Sequence, residues 1–230
     1  MSQEFVPIAG LLKAEELKAI DELVASAEFV DGRASATLAA KSVKHNLQID
    51  PSTEQAAAIG SIIEDAIRAS PHFNIAALPR RIHPFVVSKY GSGNRYGWHV
   101  DNPQMSDPRT PGPPMRTDLA MTIFLSEPDE YEGGELVLQT GSAQPSFKPP
   151  KGDAVLYPCQ YVHRVNKVTK GERLAAVTWI QSDVRDPEHR QILFNLNQLH
   201  AAMYNSAPTA PETTMLLQTH ANLFRMWCDG

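Results

Sequence analysis

LAMTIFLSEPDEYEGGELVLQ, residues 119–139, contains two short apolar runs separated by a polar segment with a proline and two glycines. Runs of this length bounded by turn residues favour β-strands over helices. Similar runs lie on both sides of this stretch: IHPFVVSKY, RYGWHVD, DAVLYP and RLAAVTWIQ. Many short strands in series, without helices between them, predict an antiparallel sandwich or jelly roll rather than a βαβ fold.

Helical periodicity lies on both sides of this strand-rich region. Apolar residues recur at helical spacing in two N-terminal segments: Leu17, Ile20, Val24 and Ala27 in the first, Ile59, Ile63 and Ile67 in the second. Ser52 and Gln55, in STEQ, form the reciprocal capping pattern that predicts the start of the second helix. The segments EHRQILFNLNQLHAAMY and PETTMLLQTHANLFRMW predict two C-terminal helices.

These patterns together predict an α+β protein with a double-stranded β-helix (jelly-roll) core. We expect residues 81–183 to form that core. Residues 1–80 are expected to place helices on one of its sheets, and residues 184–230 to form a C-terminal helical extension. No linker is long or polar enough to separate independent domains.

Composition narrows the functional classes. Apolar content of 42% and charged content of 20% are typical of a soluble globular chain. The net charge of −5 argues against a general nucleic-acid binder. The sequence shows no secretion signal and no apolar run long enough to span a membrane. Cys159 and Cys228 lie far apart and form no metal-binding spacing, so we expect free thiols in a reducing cytoplasm.

The stretch RYGWHVDNP, residues 95–103, carries the first chemical signal. On a strand, His99 and Asp101 would project to one face, into the barrel, and Gly97 would leave room there for a ligand. Three residues are expected on the opposite face: Tyr96, Trp98 and Val100. The proline-rich segment that follows is expected to be an exposed loop at the mouth of the site.

A third ligand must come from later in the chain, and His163 is the best candidate. Two histidines and one carboxylate on one face of a metal leave open positions, as in non-haem Fe(II) oxygenases. Arg173 opens an apolar strand, and its planar fork suits the far carboxylate of a five-carbon keto-diacid. In a flat hairpin His163 and Arg173 would lie roughly 16 Å apart, so the hypothesis requires the chain to change sheets between them.

The sequence resembles the bacterial PKHD-type hydroxylases, the iron-uptake-associated PiuC/YbiX group of Fe(II)- and 2-oxoglutarate-dependent dioxygenases. The resemblance rests on HVDNP, MRTDLAMTIFLSEPDEYEGGELVL, GDAVLYP, HRV and GERLAAVTWIQSDVRD, and it extends from residue 29 through the C-terminal helices. It implies Fe(II) on His99, Asp101 and His163, with 2-oxoglutarate held by Arg173. L-ascorbate dependence is a further expectation of the family.

Two aromatic residues are expected to line the cosubstrate pocket. Tyr90 resembles a cosubstrate-binding tyrosine of related prolyl hydroxylases, and Trp179 lies on the strand of Arg173, although both could be ordinary core aromatics. Phe124 stands where some animal relatives have a second cosubstrate-binding tyrosine. The resemblance leaves open which side chains besides Arg173 complete the carboxylate site.

The main hypothesis is therefore a cytoplasmic dioxygenase that couples oxidative decarboxylation of 2-oxoglutarate to succinate, using O2, with hydroxylation of a small-molecule or peptidyl substrate. Two alternatives are a cupin-like metal hydrolase or isomerase, and a non-catalytic module that responds to iron or 2-oxoglutarate. Neither nucleic acid nor membrane is an expected partner. Leu, Phe and Trp residues of the C-terminal helices favour a homodimer.

Overall fold

The computed structural model describes residues 5–35, 38–109 and 111–228. A 3-10 helix covers Gly32–Ser35. The α-helices are α1 (Ala14–Ala25), α2 (Leu38–Lys41), α3 (Glu54–Ala69), α4 (Pro71–Ala77), α5 (Pro187–Ser206) and α6 (Pro211–Trp227).

The strands are mostly short, as the broken apolar runs predict. They are β1 (Val6–Ile8), β2 (Phe29–Asp31), β3 (Lys44–His45), β4 (Leu47–Ile49), β5 (Pro79–Ile82), β6 (Val86–Tyr90), β7 (Arg95–His99), β8 (Gln104–Met105), β9 (Met115–Arg116), β10 (Leu119–Phe124), β11 (Tyr131–Gly133), β12 (Leu136–Leu138), β13 (Ser146–Phe147), β14 (Ala154–Pro158), β15 (His163–Val165), β16 (Val168–Gly171) and β17 (Arg173–Ser182).

Two antiparallel sheets form the core. In the described part of the chain, the major sheet runs β1-β14-β10-β17-β6-β4-β2 with β5 paired to β17, and the minor sheet runs β13-β12-β15-β7-β3. Strands from before residue 80 extend both sheets, since β1 and β4 join the major sheet and β3 joins the minor one. The expected jelly-roll core and the α+β class are confirmed.

The position of strand β10 in the major sheet explains why its sequence is apolar throughout, without alternating polar residues. All of its residues are buried because both faces of the major sheet are covered. Met121 and Ile123 pack with the N-terminal helices, whereas Ala120 and Phe124 pack against residues of the minor sheet. The strand therefore separates a helix-facing core from the inter-sheet space that holds the site.

The N-terminal helices cover the outer face of the major sheet, as predicted. The helical stripe of α3 is completely buried there: Ile59, Ile63 and Ile67. The predicted cap is off by one residue, because Thr53 rather than Ser52 caps α3, accepting the amide of Ala56 at 3.2 Å. Ser52 instead donates its hydroxyl to Asp50 at 2.7 Å in the preceding turn.

Helices α5 and α6 follow the core. Asp186 caps α5 by accepting the amides of Glu188 and His189, and Phe194 packs into the helix-facing core. His189 of α5 stacks on Trp227 of α6 with ring centroids 4.1 Å apart, which ties the two helices together. Within the described residues, no helix combines the length and apolarity needed to cross a lipid bilayer.

Between His163 and Arg173 the chain passes from the minor sheet to the major sheet. His163 lies on β15, then β16 pairs with β11, and Arg173 begins β17. Gly171, at φ +74°, lies against Glu130 and Tyr131 at this crossing, where an added Cβ would be 2.0 Å from the Glu130 carbonyl oxygen. The change of sheet that the ligand hypothesis requires is therefore present.

Candidate metal centre and cosubstrate pocket

The paired strands β7 and β15 bring two histidines together. His163 lies directly opposite His99 in the register of these strands, and their ring centroids are 4.2 Å apart. Asp101 follows two residues after His99, and its Oδ1 lies 3.7 Å from Nε2 of His163. One potential ligand atom from each of the three residues lies within 4.8 Å of the others. The three predicted ligands thus converge at one point between the sheets.

Backbone carbonyls orient both imidazoles. Nδ1 of His99 donates to the carbonyl of Gly97 at 2.8 Å, and Nδ1 of His163 donates to the carbonyl of Tyr161 at 3.1 Å. Because a carbonyl only accepts, each ring carries a proton on Nδ1, and Nε2 is the ring atom that could bind a metal. Burial, and then the neighbouring His163, lowers the pKa of His99 to about 3, so its ring is neutral.

The donor set fits a ferrous ion. Oδ2 of Asp101 is buried and has no hydrogen-bond partner among the described residues, which is costly unless a cation approaches it. Ligand atoms bound about 2 Å from one ion lie within about 4 Å of one another, which is close to the spacing found here. Two neutral imidazoles and one carboxylate form the facial set typical of non-haem Fe(II).

A β-bulge overturns the predicted orientation of Tyr96. His163 pairs with His99 but Val165 pairs with Tyr96, so β7 carries one extra residue in this interval. The bulge breaks the alternation, and Tyr96 stacks on His99 at 3.5 Å instead of facing away from it. The prediction that Gly97 leaves room for a ligand is also wrong. A Cβ there would lie 2.8 Å from Cβ of Val43, so the space is already filled.

Arg173 faces the same space from the major sheet. Its side chain is 2% exposed, and its guanidinium lies 5.2 Å from the ring of Tyr90 and 5.4 Å from that of Phe124. Nε and Nη2 have no hydrogen-bond partner, and no carboxylate of the described residues lies within 4.0 Å. A buried guanidinium between two aromatic rings with unused donors is suited to an anionic ligand.

Tyr131 packs beside Arg173, a contact that the sequence does not indicate because the surrounding segment DEYEGGE is polar. Its side chain is 3% exposed, and its hydroxyl has no hydrogen-bond partner in the part of the chain that is described. Burial raises the pKa of Tyr131 and the charge of Arg173 opposes that rise. Gly134 brings the two side chains together, since a Cβ there would lie 2.9 Å from Tyr131 and 3.1 Å from Arg173.

Tyr90 and Trp179 both line the cavity, as predicted. Tyr90 pairs with Arg173 in the register of β6 and β17, and burial raises its pKa to about 12, so the phenol is neutral. Trp179 lies on the inward face of β17, where its Nε1 is buried without a partner among the described residues. Met105 of β8, which pairs with β9, also lines the cavity.

A second group that the sequence reading missed lies on the N-terminal side of the cavity. Lys44 of β3, Gln48 of β4 and Ser88 of β6 are buried and line the same space as the histidines. Burial lowers the pKa of Lys44 to about 8, with the charge of Asp101 opposing. The only local signal was VKHNLQ, which does not by itself show which side chains enter the site.

Comparison with known proteins agrees with this geometry. Residues 85–181 match the model of the 2OG-Fe(II) oxygenase superfamily. A PKHD-type hydroxylase of Picosynechococcus sp. is 39% identical over 225 residues, which are 98% of this chain and 100% of the relative. A PKHD-type hydroxylase of Pseudomonas putida is 39% identical over 222 residues, which are 96% of this chain and 98% of the relative. The chain belongs to the PKHD-type hydroxylase family. The protein is an Fe(II)- and 2-oxoglutarate-dependent dioxygenase, which confirms the prediction.

Solved structures support the fold of this PKHD-type hydroxylase. An oxidoreductase of the 2OG-Fe(II) oxygenase family from Burkholderia pseudomallei has a TM-score of 0.57 at 19% identity, covering 77% of this chain and 85% of that one. A prolyl hydroxylase from Trichoplax adhaerens, in complex with a hypoxia inducible factor peptide fragment, has a TM-score of 0.55 at 18% identity, covering 84% and 87%. At such identity the likeness bears on the fold alone.

Proposed function

We propose that His99, Asp101 and His163 hold the ferrous ion of this hydroxylase and that Arg173 holds the far carboxylate of 2-oxoglutarate. The proposal rests on the arrangement of one cavity. The Nδ1 atoms of two facing histidines are used by backbone carbonyls, which leaves Nε2 to bind a metal, and a buried guanidinium without an ion-pair partner among the described residues lies on the opposite sheet. When bound, the metal with 2-oxoglutarate and O2 supplies the oxidative decarboxylation to succinate that drives hydroxylation of a C–H bond.

The remaining carboxylate contacts are assigned to tyrosines. Phe124 cannot donate a hydrogen bond, whereas the buried hydroxyl of Tyr131 has no other partner in the described chain. We therefore assign Tyr131 beside Arg173, with Tyr90 on the paired strand. The rings of Tyr90 and Phe124 keep water from the guanidinium, which strengthens its attraction to a carboxylate.

We assign the substrate side of the cavity to Trp179, Tyr96 and Met105, which line it together with the proposed metal ligands. The substrate is a small molecule or a peptidyl residue with an unactivated C–H bond. A cytoplasmic location is proposed because Cys159 and Cys228 are both free. Ascorbate dependence and a link with iron uptake rest on the family resemblance.

Anaerobic titration tests the assignment. Fe(II) and 2-oxoglutarate added together to the protein should give a visible charge-transfer band, because the keto acid chelates the metal. The band should be absent in His99→Ala and present in His200→Ala, a matched change on α5. A His99→Ala protein that keeps the wild-type band would refute the ligand set. A +16 Da product formed in step with succinate would then identify the substrate and exclude a hydrolase or a binding module.

We also propose a homodimer formed through the C-terminal helices. Large apolar side chains of α5 and α6 are exposed: Leu199, Tyr204, Met215, Leu217 and Met226. Several large apolar side chains exposed on neighbouring helices are more typical of an interface than of a free surface. Size-exclusion chromatography with light scattering should give about twice the chain mass of 25.4 kDa, and a monomer at micromolar concentration would contradict the proposal.

A further inference from the structure

Lys44 places a buried positive charge beside the metal site. Its side chain is 6% exposed and lines the cavity that also contains His99 and His163. Nζ lies 5.1 Å from the centre of the Tyr96 ring, and Tyr96 stacks on His99 at 3.5 Å. The ammonium group and one proposed metal ligand therefore both contact the ring of Tyr96.

The ammonium group of Lys44 forms no ion pair with the described residues, although the charge of Asp101 acts on it from a greater distance. No carboxylate of residues 5–35, 38–109 or 111–228 lies within 4.0 Å of Nζ. Among the described residues it donates one hydrogen bond, to the hydroxyl of Ser35 at 2.9 Å, and an ammonium has three donors. Because an unpaired buried ammonium is costly, a protein that retains one in a cavity has a binding use for it.

Hydrogen bonds link the ammonium of Lys44 to three neutral polar side chains. We call this group the Lys44 array: Lys44, Ser35, Gln48 and Ser88. Ser35 donates to Oε1 of Gln48 at 2.7 Å, and Nε2 of Gln48 donates to Ser88 at 3.5 Å. Gln48 and Ser88 are paired residues of β4 and β6, and Ser88 lies two residues before Tyr90. The array thus lies beside the proposed cosubstrate site but is built from different side chains.

The charge of the array defines what it can bind. One ammonium surrounded by hydroxyl and amide groups matches a single negative charge, whereas a phosphate dianion is better served by arginine forks. Because Lys44 and His99 both contact Tyr96 and line one cavity, an anion bound at Lys44 would lie close to the proposed metal site. The anion and the reacting carbon are therefore expected to belong to one small unit, about the size of an amino acid.

We infer that Lys44 binds a carboxylate of the prime substrate, so that the substrate is a carboxylic acid hydroxylated close to its acid group. The inference rests on the proposed function of the same site, because it takes Arg173 to be occupied by 2-oxoglutarate. Lys44 then selects the substrate, and Ser35, Gln48 and Ser88 position the ammonium and the acid.

Matched probes test this selection. The protein is loaded anaerobically with Fe(II) and saturating 2-oxoglutarate, so that Arg173 is occupied, and its charge-transfer band is recorded first. L-Proline, L-lysine and N-acetyl-L-proline are then compared with their primary amides, with inorganic phosphate as a separate arm. Dissociation constants come from ligand-observed saturation-transfer NMR, which does not depend on turnover. The proteins are wild type, Lys44→Met, Lys44→Arg and Lys41→Met, the last removing an exposed lysine nearby.

The acids should bind wild type at least about tenfold more tightly than the amides, which corresponds to about 1.4 kcal/mol. Lys44→Met should abolish that preference, whereas Lys44→Arg and Lys41→Met should keep it. Equal or absent binding of acids and amides to wild type, a preference that survives in Lys44→Met, or tighter binding of phosphate than of the acids would each overturn the inference. Loss of the band in wild type would instead refute the proposed function, so the two failures are distinguishable.

Discussion

Replacing Arg173 with methionine tests the cosubstrate assignment most directly. Methionine is unbranched and apolar, so it can fill much of the space between Tyr90 and Phe124 without a charge. Since the guanidinium has no acidic partner among the described residues, the change breaks no ion pair of the free protein. We therefore expect the ligand-free variant to be about as stable as wild type, or more stable.

The loss of the guanidinium should instead lower the affinity for 2-oxoglutarate. Removing one partner of a buried, hydrogen-bonded charge pair costs about 2–5 kcal/mol, which corresponds to about a 30-fold to 5,000-fold rise in the dissociation constant of 2-oxoglutarate. Pyruvate keeps the keto acid but lacks the far carboxylate. Its affinity should change by no more than about threefold, because it makes no ion pair with Arg173.

Two measurements separate these effects. Anaerobic titration of the Fe(II)-loaded protein, followed by the charge-transfer band, gives both dissociation constants. Thermal melting gives an independent value, since a ligand at 100 times its dissociation constant adds about 2.7 kcal/mol. For a chain of this size that stabilisation raises the wild-type Tm by about 5–11 °C. A variant weakened 100-fold should gain only about 1–2 °C at the same concentration.

Arg81→Met is the matched control, because Arg81 is a half-buried arginine of the same sheet that donates to the carbonyl of Pro113. It should bind 2-oxoglutarate as wild type does. An Arg173→Met protein that binds 2-oxoglutarate within threefold of wild type would refute the carboxylate assignment. Equal losses for 2-oxoglutarate and pyruvate would refute it as well, because they would place the effect at the metal rather than at the far carboxylate.

Three further predictions concern the pocket and the core. The pKa of Lys44 is lowered from 10.5 to about 8, so the folded state loses the lysine's proton at a lower pH than the unfolded state does. In denaturant unfolding, the stability of wild type relative to Lys44→Met should therefore rise between about pH 8 and pH 10.5, by up to about 3 kcal/mol. A stability difference that does not change with pH would contradict this prediction. Gly134→Ala, at φ +71° and against Tyr131 and Arg173, should weaken 2-oxoglutarate about tenfold in titration and leave Fe(II) affinity unchanged. Ile63→Ala, which empties a fully buried position, should lower unfolding stability by about 2–5 kcal/mol in urea.

Local patterns predict the elements of this protein well because their causes are local. The four-residue spacing of Ile59, Ile63 and Ile67 predicts a helix whose stripe is buried, and that prediction is confirmed. The change of sheet between His163 and Arg173 was inferred from the reach of a five-carbon diacid rather than from a pattern. The length of the proposed cosubstrate thus predicts a feature of the topology that hydrophobic periodicity does not indicate.

The features that the sequence does not predict correctly have one physical cause in common. Each is set by pairing between segments that are distant in the chain. The orientation of Tyr96 is set by a bulge that exists only because β7 pairs with β15. Tyr131 lies beside Arg173 because β11 pairs with β16, and Lys44 lines the cavity because β3 pairs with β7. Nothing within a few residues of these side chains indicates those partners, so a sequence reading treats them as surface.

The proposed chemistry and the proposed substrate selection lie on different parts of the chain. The region 85–181, which matches the oxygenase superfamily, contains the proposed metal ligands and Arg173, whereas Lys44 and Gln48 precede it. Strands β3 and β4 join the minor and the major sheet respectively, so this short segment links the two sheets at one edge of the cavity. Changes in it would alter the polar wall without moving the metal ligands. An enzyme built this way can change its substrate while keeping its oxidative centre.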